Sequence, residues 1–494
     1  MNSMQRSRIA LALILGLPVT LLVIADALGQ QARQSAIHVS SYYGAAREGV
    51  GDLLGAAGDV NNDGLADVIT TSRLSRGAVV LFGSRSNSSV DLARLRGRGF
   101  RISAAGISGG VQSVAGAGDV NGDELADLIV GTPAARDSGG ITPGSAYVVF
   151  GKESRSTVRL SRLGSHGFRI VGERRGDRAG AGVSGIGDLN GDRLADVIVG
   201  APRVDVSDRS NAGAAYIVSG KRTGSTVELS TLGAGGVKVA GARSGEQVGN
   251  AVASAPDMNS DGLQELLLGA SQSDSGGRRS GAGYVVYGRR NAGAVNLSDL
   301  GTRGFTIRGA AAREGAGYSV AGLNDVNGDK LGDVVLGAPA ARNAGRASGS
   351  AYVVFGRPAP GTVRLGRLSS AGFRLDGVAG DNAGFAVSGS TDQSGDGRGE
   401  VIVGAPGADI GRVMNGGTAY VIYGTGARKP RRLDRLGNGG FRLSRMRFLG
   451  SAGVSVADAG DFNGDGRPEV LVGTPGASYD GRNASGAVYA FRGL

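Results

Sequence analysis

The chain of 494 residues contains no cysteine and no tryptophan, has only two histidines, and is 5% aromatic. Without thiols there are no disulfides, no thiolate nucleophile and no sulfur-built zinc or copper site. His38 and His166 lie far apart, next to no acidic or nucleophilic motif, so neither reads as a general base. Long apolar runs are equally scarce. One stretch, Ile9 to Ile24, follows Arg6 and Arg8 and ends at Ala25-Asp26-Ala27, the layout of an export signal with a small-x-small cleavage site. Residues 1–27 are therefore expected to be a signal peptide cut after Ala27, with 28–36 as a linker. The competing reading is an uncleaved anchor, but a spanning helix needs about 20 apolar residues and Pro18 interrupts this run. No second such run follows, so the mature chain is expected to have no membrane span and to be secreted or displayed at the cell surface.

What is abundant is glycine, 92 residues, together with 40% hydrophobic residues. There is no Gly-X-Y period, which excludes collagen, and there is enough apolar surface to offset chain entropy, which argues against disorder. Glycine this dense excludes long helices, since each interior position costs about 1 kcal/mol. Many short strands joined by tight turns remain. The formal charge of +11 is carried mostly by scattered arginines without a dense basic run. With no recognition helix or aromatic platform to accompany it, nucleic acid is not an expected partner. A solvated surface, or attraction to anionic glycans, accounts for it better.

Self-similarity organises the rest. Gly118-Asp119-Val120-Asn121-Gly122-Asp123 runs into Ala126-Asp127-Leu128-Ile129-Val130-Gly131-Thr132-Pro133, and copies begin at Asp59, Asp188, Asp257, Asp325, Asp392 and Asp461, spaced 60 to 69 residues apart. Each unit holds four short apolar runs; the third repeat is assigned Phe168 to Val171, Ala181 to Ile186, Asp196 to Val199, and Ala214 to Val218. Four such strands make one blade, and runs apolar on both pleat faces, such as Ala146 to Phe150, suit a blade sandwiched between two others. The run before each acidic loop is built from small residues, as strands converging on an axis require. A solenoid would also stack repeats, but it needs polar caps that are missing here. Instead the last repeat stops at Ala487 to Phe491, one strand short, while Ile37 to Tyr43 stands spare at the start. Pairing them closes a ring and removes the open edges. The expected fold is all-β: a seven-bladed β-propeller of four-stranded antiparallel blades over residues 37–494, its last blade completed by the N-terminal strand, and monomeric.

Each acidic loop follows Asp-x-Asn-x-Asp-x-x-x-Asp. Alternate residues of a tight loop turn inward, and the ninth position adds another carboxylate. The candidate metal ligands are Asp59, Asn61, Asp63 and Asp67 in the first loop, Asp119, Asn121, Asp123 and Asp127 in the second, and Asp188, Asn190, Asp192 and Asp196 in the third. The fourth offers Asp257, Asn259, Asp261 and Glu265, the fifth Asp325, Asn327, Asp329 and Asp333, the sixth Asp392, Ser394, Asp396 and Glu400, and the seventh Asp461, Asn463, Asp465 and Glu469. Hard oxygen donors in this number suit Ca²⁺, up to one ion per blade. A single copy is also an ordinary Asx turn; seven in register point to metal. Gly64, Gly262 and Gly466 hold the sixth position, where the bend favours positive φ, so loops one, four and seven are expected to be best formed. Glu124, Arg193 and Lys330 replace that glycine, and the sixth loop, with Ser394 and Glu400, departs furthest.

These loops resemble the FG-GAP repeats of the integrin alpha chain. The resemblance also rests on Gly-Ala-Pro or its near copies after the loops (Gly200-Ala201-Pro202, Gly337-Ala338-Pro339, Gly404-Ala405-Pro406) and on a glycine eight residues ahead of each loop (Gly51, Gly180, Gly249, Gly317, Gly384, Gly453). It covers about residues 37 to 494 and implies a seven-bladed, calcium-binding propeller closed by its amino-terminal strand. The departures are Thr70-Thr71-Ser72 in the first repeat, Val111 in place of the leading glycine in the second, and Ser271 for proline in the fourth. Nothing matches the integrin leg domains or membrane segment, so the chain is closer to bacterial-type, propeller-only members. The implied function is a non-catalytic adhesion module for an extracellular protein or matrix partner. A lectin-like binder of acidic glycans and a glycosidase or lyase with a carboxylate pair at the propeller mouth are the alternatives.

Three further motifs read as incidental. Arg175-Gly176-Asp177 spells an adhesive tripeptide, yet its aspartate holds a repeat position shared with Glu48, Glu246, Glu314 and Asp381. Gly180-x-Gly182-x-x-Gly185 matches a dinucleotide fingerprint without a βαβ unit around it. The sequons at Asn87, Asn296 and Asn483 matter only in a eukaryotic secretory route.

Overall fold

Short runs of Val, Ile and Tyr bounded by glycine form strands of four to seven residues throughout, as in Asp333–Ala338 and Ser350–Val354. A computed structural model describes residues 37–492 except 73–75, 87, 135, 138–139, 291–292, 444–445 and 447–449. The expected signal peptide and linker, and Asn87, lie outside the described residues. The strands form seven antiparallel blades whose first strands lie side by side around an axis and whose later strands step outward in chain order. Blade 4 is representative: Ala251–Ala255, Glu265–Gly269, Ala282–Val286 and Gly304–Arg308. Blade 7 takes its outer strand from the other end of the chain, Ile37–Tyr43 pairing antiparallel with Ala487–Arg492. The ring is closed as the end-strand count requires.

Two assignments change. Gly167–Val171 pairs with Ser145–Val149 and is the outer strand of blade 2, so the run at Phe168 to Val171 does not belong to the third blade. The blades are also not purely four-stranded. In six of them a short parallel strand from the following blade is added to the outer edge, for example Val227–Glu228 beside Gly167–Val171, and Val90–Asp91 beside Ile37–Tyr43 in blade 7. Each two- to four-residue piece leads into a 3₁₀ turn whose first leucine (Leu92, Leu160, Leu229, Leu297, Leu365, Leu433) is buried. Such fragments are too short to be marked by periodicity, and they cover edges that would otherwise invite pairing.

The core is divided into seven apolar clusters, one at each blade junction. Close backbone approach makes this possible. A Cβ on Gly131, Gly200, Gly269, Gly337, Gly404 or Gly473 would lie 1.9–2.2 Å from the carbonyl oxygen of Gly180, Gly249, Gly317, Gly384, Gly453 or Gly51 respectively. The two motif glycines of the repeat therefore serve one contact, between the second strand of one blade and the entry to the next. The remaining junction, between blades 1 and 2, carries Thr71 and Val111 at the corresponding positions, so both departures from the repeat fall at the same place.

Blade 3 departs in another way. In five blades an aromatic residue after the third strand packs on the phenylalanine of the outer strand: Phe82 on Phe100, Phe150 on Phe168, Tyr287 on Phe305, Phe355 on Phe373 and Tyr423 on Phe441, with centroids 5.9–6.2 Å apart. Blade 3 has Ser219 and Val237 instead, and a cleft of about 630 Å³ lined by both of them, Ile217, Leu266 and Val286 opens there. Refilling it with the double variant Ser219→Phe/Val237→Phe is expected to raise stability by about 1–2 kcal/mol. Denaturant titration reads this, and a destabilised variant would show that the junction has relaxed around the smaller pair.

Candidate metal centres

The acidic loops join the first and second strands of every blade and so crowd one face of the ring. In the first loop the Asp59 carboxylate accepts the amides of Asp63 (3.2 Å) and Gly64 (2.8 Å), Asn61 Oδ1 accepts the Asp63 amide (3.0 Å), and Asp63 Oδ1 accepts that of Leu65 (3.0 Å). The same network recurs in loops two to five. It folds alternate side chains inward before any ion is considered. The sixth residue has positive φ in all seven, from 69° to 82°: Gly64 78°, Glu124 70°, Arg193 69°, Gly262 80°, Lys330 71°, Gly397 82° and Gly466 82°. The bend is therefore kept even where glycine is replaced. Gly397 gives the sixth loop the same bend as loops one, four and seven, although its motif departs furthest from the repeat.

The ninth carboxylate does more than the motif suggests. Asp67 is fully buried and accepts the amides of Val60 (2.8 Å) and Gly83 (2.8 Å), and Asp333 those of Val326 and Gly356 at the same distances. Asp127 and Asp196 repeat this arrangement with Gly151 and Gly220. Each ties its acidic loop to the glycine that follows the third strand. Burial pushes these acids up, to about 7 for Asp67, Asp127 and Asp333 and about 6 for Asp196, with the two loop aspartates adding to the rise. A divalent cation nearby would reverse that balance, because its charge favours the ionised carboxylate.

Where the ninth residue is glutamate the geometry differs from loop to loop. Asp257, Asp261 and Glu265, and likewise Asp392, Asp396 and Glu400, each bring one carboxylate oxygen within 4.8 Å of the others. Glu265 is fully buried; Oε2 accepts the Met258 amide (3.2 Å), Oε1 has no hydrogen-bond partner, and burial raises its acid to about 9. An orphaned buried oxygen beside two aspartates fits a hard cation. Loop seven is arranged otherwise: Glu469 accepts from the Asn463 side-chain amide (2.5 Å), and Asp465 pairs with Arg492 (3.0 Å). Its glycine did not reveal these competing partners. Cations approach from neighbouring blades as well, since Arg222 donates to the carbonyl oxygens of Asn121 (3.3 Å) and Gly122 (3.2 Å).

The incidental motifs are absorbed by the fold. Asp177 is 6% exposed and its carboxylate accepts the Arg174 amide (2.9 Å), so the Arg-Gly-Asp tripeptide turns its acid inward. Glu246, in the same repeat position, receives Ser273 Oγ (2.8 Å) and Tyr284 OH (3.0 Å). Gly180 serves the blade contact described above, and His166 is exposed at the end of a 3₁₀ turn.

Comparison with known proteins agrees with this architecture. The FG-GAP repeat family matches residues 179–218, 248–286, 316–354 and 453–491. Similar curated proteins include integrin alpha pat-2 of Caenorhabditis briggsae, 27% identical over 44% of this chain and 18% of its own length. Integrin alpha-11 of Mus musculus is 30% identical over 39% of this chain and 15% of its own. Phosphatidylinositol-glycan-specific phospholipase D of Bos taurus is 28% identical over 34% and 19%. The matched stretches thus span less than a fifth of these relatives. Together with the seven closed blades, they make this chain an integrin-alpha-like FG-GAP β-propeller.

Proposed function

We propose that the chain is a calcium-stiffened, non-catalytic binding module that acts outside the cell, adhering to a protein or matrix partner. The observation that carries the calcium assignment is loop four, where Glu265 Oε1 is buried without a partner within reach of Asp257 and Asp261. The residues that would hold ions are those of the seven loops, through Asp59, Asp119, Asp188, Asp257, Asp325, Asp392 and Asp461 and the acids that follow each. Bound calcium would neutralise clustered carboxylates and lock the hairpin between the first and second strands, which makes binding energy into folding energy. The adhesive role is supported by the similarity to integrin alpha chains. A propeller joins seven loops on one face and seven connections on the other to a rigid scaffold, the arrangement in which binding residues are commonly found.

Calorimetric titration of calcium tests the assignment. The wild type is expected to take up several ions and Glu265→Gln one fewer, since the amide keeps the side chain's shape and removes its charge. Saturation at about 100 times Kd adds about 2.7 kcal/mol per site. No heat and an unchanged melting temperature would end the calcium reading. Capture of a matrix protein by the calcium-loaded chain, lost in EDTA, tests adhesion separately.

A further inference from the structure

The face opposite the acidic loops carries the connections between second and third strands and between successive blades. Across blades 3 to 5 it holds five exposed arginines, Arg203, Arg243, Arg278, Arg279 and Arg313. They line two adjoining clefts of about 600 and 420 Å³ that share Gln272, Arg278 and Arg279. Among the described residues none of the five guanidinium groups has a hydrogen-bond or ion-pair partner, unlike Arg374, which pairs with Asp376, and Arg482, which pairs with Asp91. Three acids line the same clefts, against five arginines, and each is engaged by a neutral donor rather than by a guanidinium group. Glu246 and Glu314 are buried and held by Tyr284 and Tyr352, and Asp274 accepts the backbone amide of Arg279 (2.6 Å). Beside Arg203, Arg178 is itself half-buried and its own acidity is raised by burial and by that neighbour's charge, so the positive field continues into blade 3.

The remaining lining selects the kind of anion. Asn211, Gln247 and Gln272 supply amide groups of both hydrogen-bonding senses. Tyr318, 41% exposed, lies at the far end of the second cleft and packs on Phe385 with centroids 5.2 Å apart. Unpaired guanidinium groups bind carboxylate or sulfate bidentately, amides meet hydroxyl groups, and a braced aromatic face offers a platform for a sugar ring. We propose that these two clefts form one elongated site for an acidic polysaccharide, carboxylated or sulfated, laid across blades 3 to 5. An acidic peptide fits less well, because a polyglutamate has neither hydroxyl groups for the amides to meet in both senses nor a ring to lie on Tyr318. This assignment rests on the binding-module reading and specifies its ligand.

The test uses the full calcium-loaded chain with three probes: a polyuronate octasaccharide, a sulfated glycosaminoglycan octasaccharide, and a glutamate octapeptide. At least one saccharide is expected to bind, with affinity falling steeply with salt as multiple phosphate-like contacts would. The variant R203Q/R243Q/R278Q/R279Q/R313Q is expected to weaken binding at least 30-fold and flatten the salt dependence. A control with equal charge loss on the opposite side, R94Q/R155Q/R162Q/R367Q/R428Q, should change it less than threefold. Tyr318→Ala should weaken saccharide binding several-fold with the salt dependence unchanged. All replaced side chains are exposed, and an unchanged melting temperature confirms folding for each variant. Equal losses in both quintuple variants would reduce the effect to net charge and overturn the site, as would a glutamate peptide binding as tightly as either saccharide. Calcium uptake and matrix capture with no saccharide bound would sink this inference while leaving the binding-module reading intact.

Discussion

Gly337→Ala is expected to destabilise the protein by about 3–5 kcal/mol, at or above the usual range for overpacking, although it adds a single methyl group. That methyl would lie 2.0 Å from the carbonyl oxygen of Gly384 and 2.2 Å from Ser319 Oγ. The serine can rotate, but the carbonyl cannot withdraw. Gly384 has φ +79°, and its own Cα side faces the Ser350 carbonyl, where a Cβ would come to 2.3 Å. Both backbones are held from behind, and Gly384 N donates to Gly404 O (3.0 Å) as part of the next blade's hairpin. Relief would therefore have to propagate through blade 6 and around a closed ring. Gly235→Ala is the internal control, since that glycine has no positive φ and no atom within 4 Å of a Cβ, and it should change stability by less than about 0.5 kcal/mol. Guanidinium denaturation of both variants settles the matter; equal midpoints would mean that the glycine contacts at the blade junctions are not close-packed in solution.

Stripped of calcium by EDTA, the protein is expected to melt several degrees higher at pH 5 than at pH 8, with the order abolished or reversed in excess calcium. The direction follows from the ninth-position acids. Asp67, Asp127 and Asp333 are raised to about 7, Asp196 to about 6, Glu400 and Glu469 to about 7 and Glu265 to about 9. Burial is the first cause in each, with neighbouring loop aspartates contributing to each rise. Above pH 4 the folded chain keeps these protons while the unfolded chain has released them, so the folded state binds more protons and loses stability as pH rises. The contribution is fully present below the unfolded carboxylate range, declines from about pH 4 upward, and is gone once pH has passed the folded values of about 6 to 9. Calcium holds the ionised form and replaces the proton, so it should add most stability at high pH and be released on acidification. Differential scanning at five pH values, with and without calcium, reads the effect; parallel curves under both conditions would show that these acids do not face the ion.

The acidic loops show where sequence was enough. Their fold is local: Asp59 accepts amides four and five residues onward, and Asn61 and Asp63 each accept one two residues onward, so spacing alone carries the information. The bend at the sixth residue was legible for the same reason. What spacing missed is the partner beyond the loop. Asp67 reaches Gly83 and Asp333 reaches Gly356, residues from a different hairpin, while Asn463 turns to Glu469 and Asp465 to Arg492. Loops that look alike in the chain thus differ in how many oxygens remain free, which explains why the sixth, with the most altered motif, brings its three carboxylates together and the seventh does not.

The same division holds for the whole molecule. The sequence by itself determined the number of blades, the strand that closes the ring and the positions of the acidic loops, because each depends on a repeat period, an unmatched end or contacts within nine residues. Only the tertiary structure decided that the two motif glycines touch one another, that a fifth strand crosses to the preceding blade, that blade 3 has an open cleft in place of the aromatic pair, and that five exposed arginines from four connections meet on the opposite face. Those features join residues tens of positions apart. Their chemistry comes from proximity across blade junctions, which no periodicity along the chain encodes.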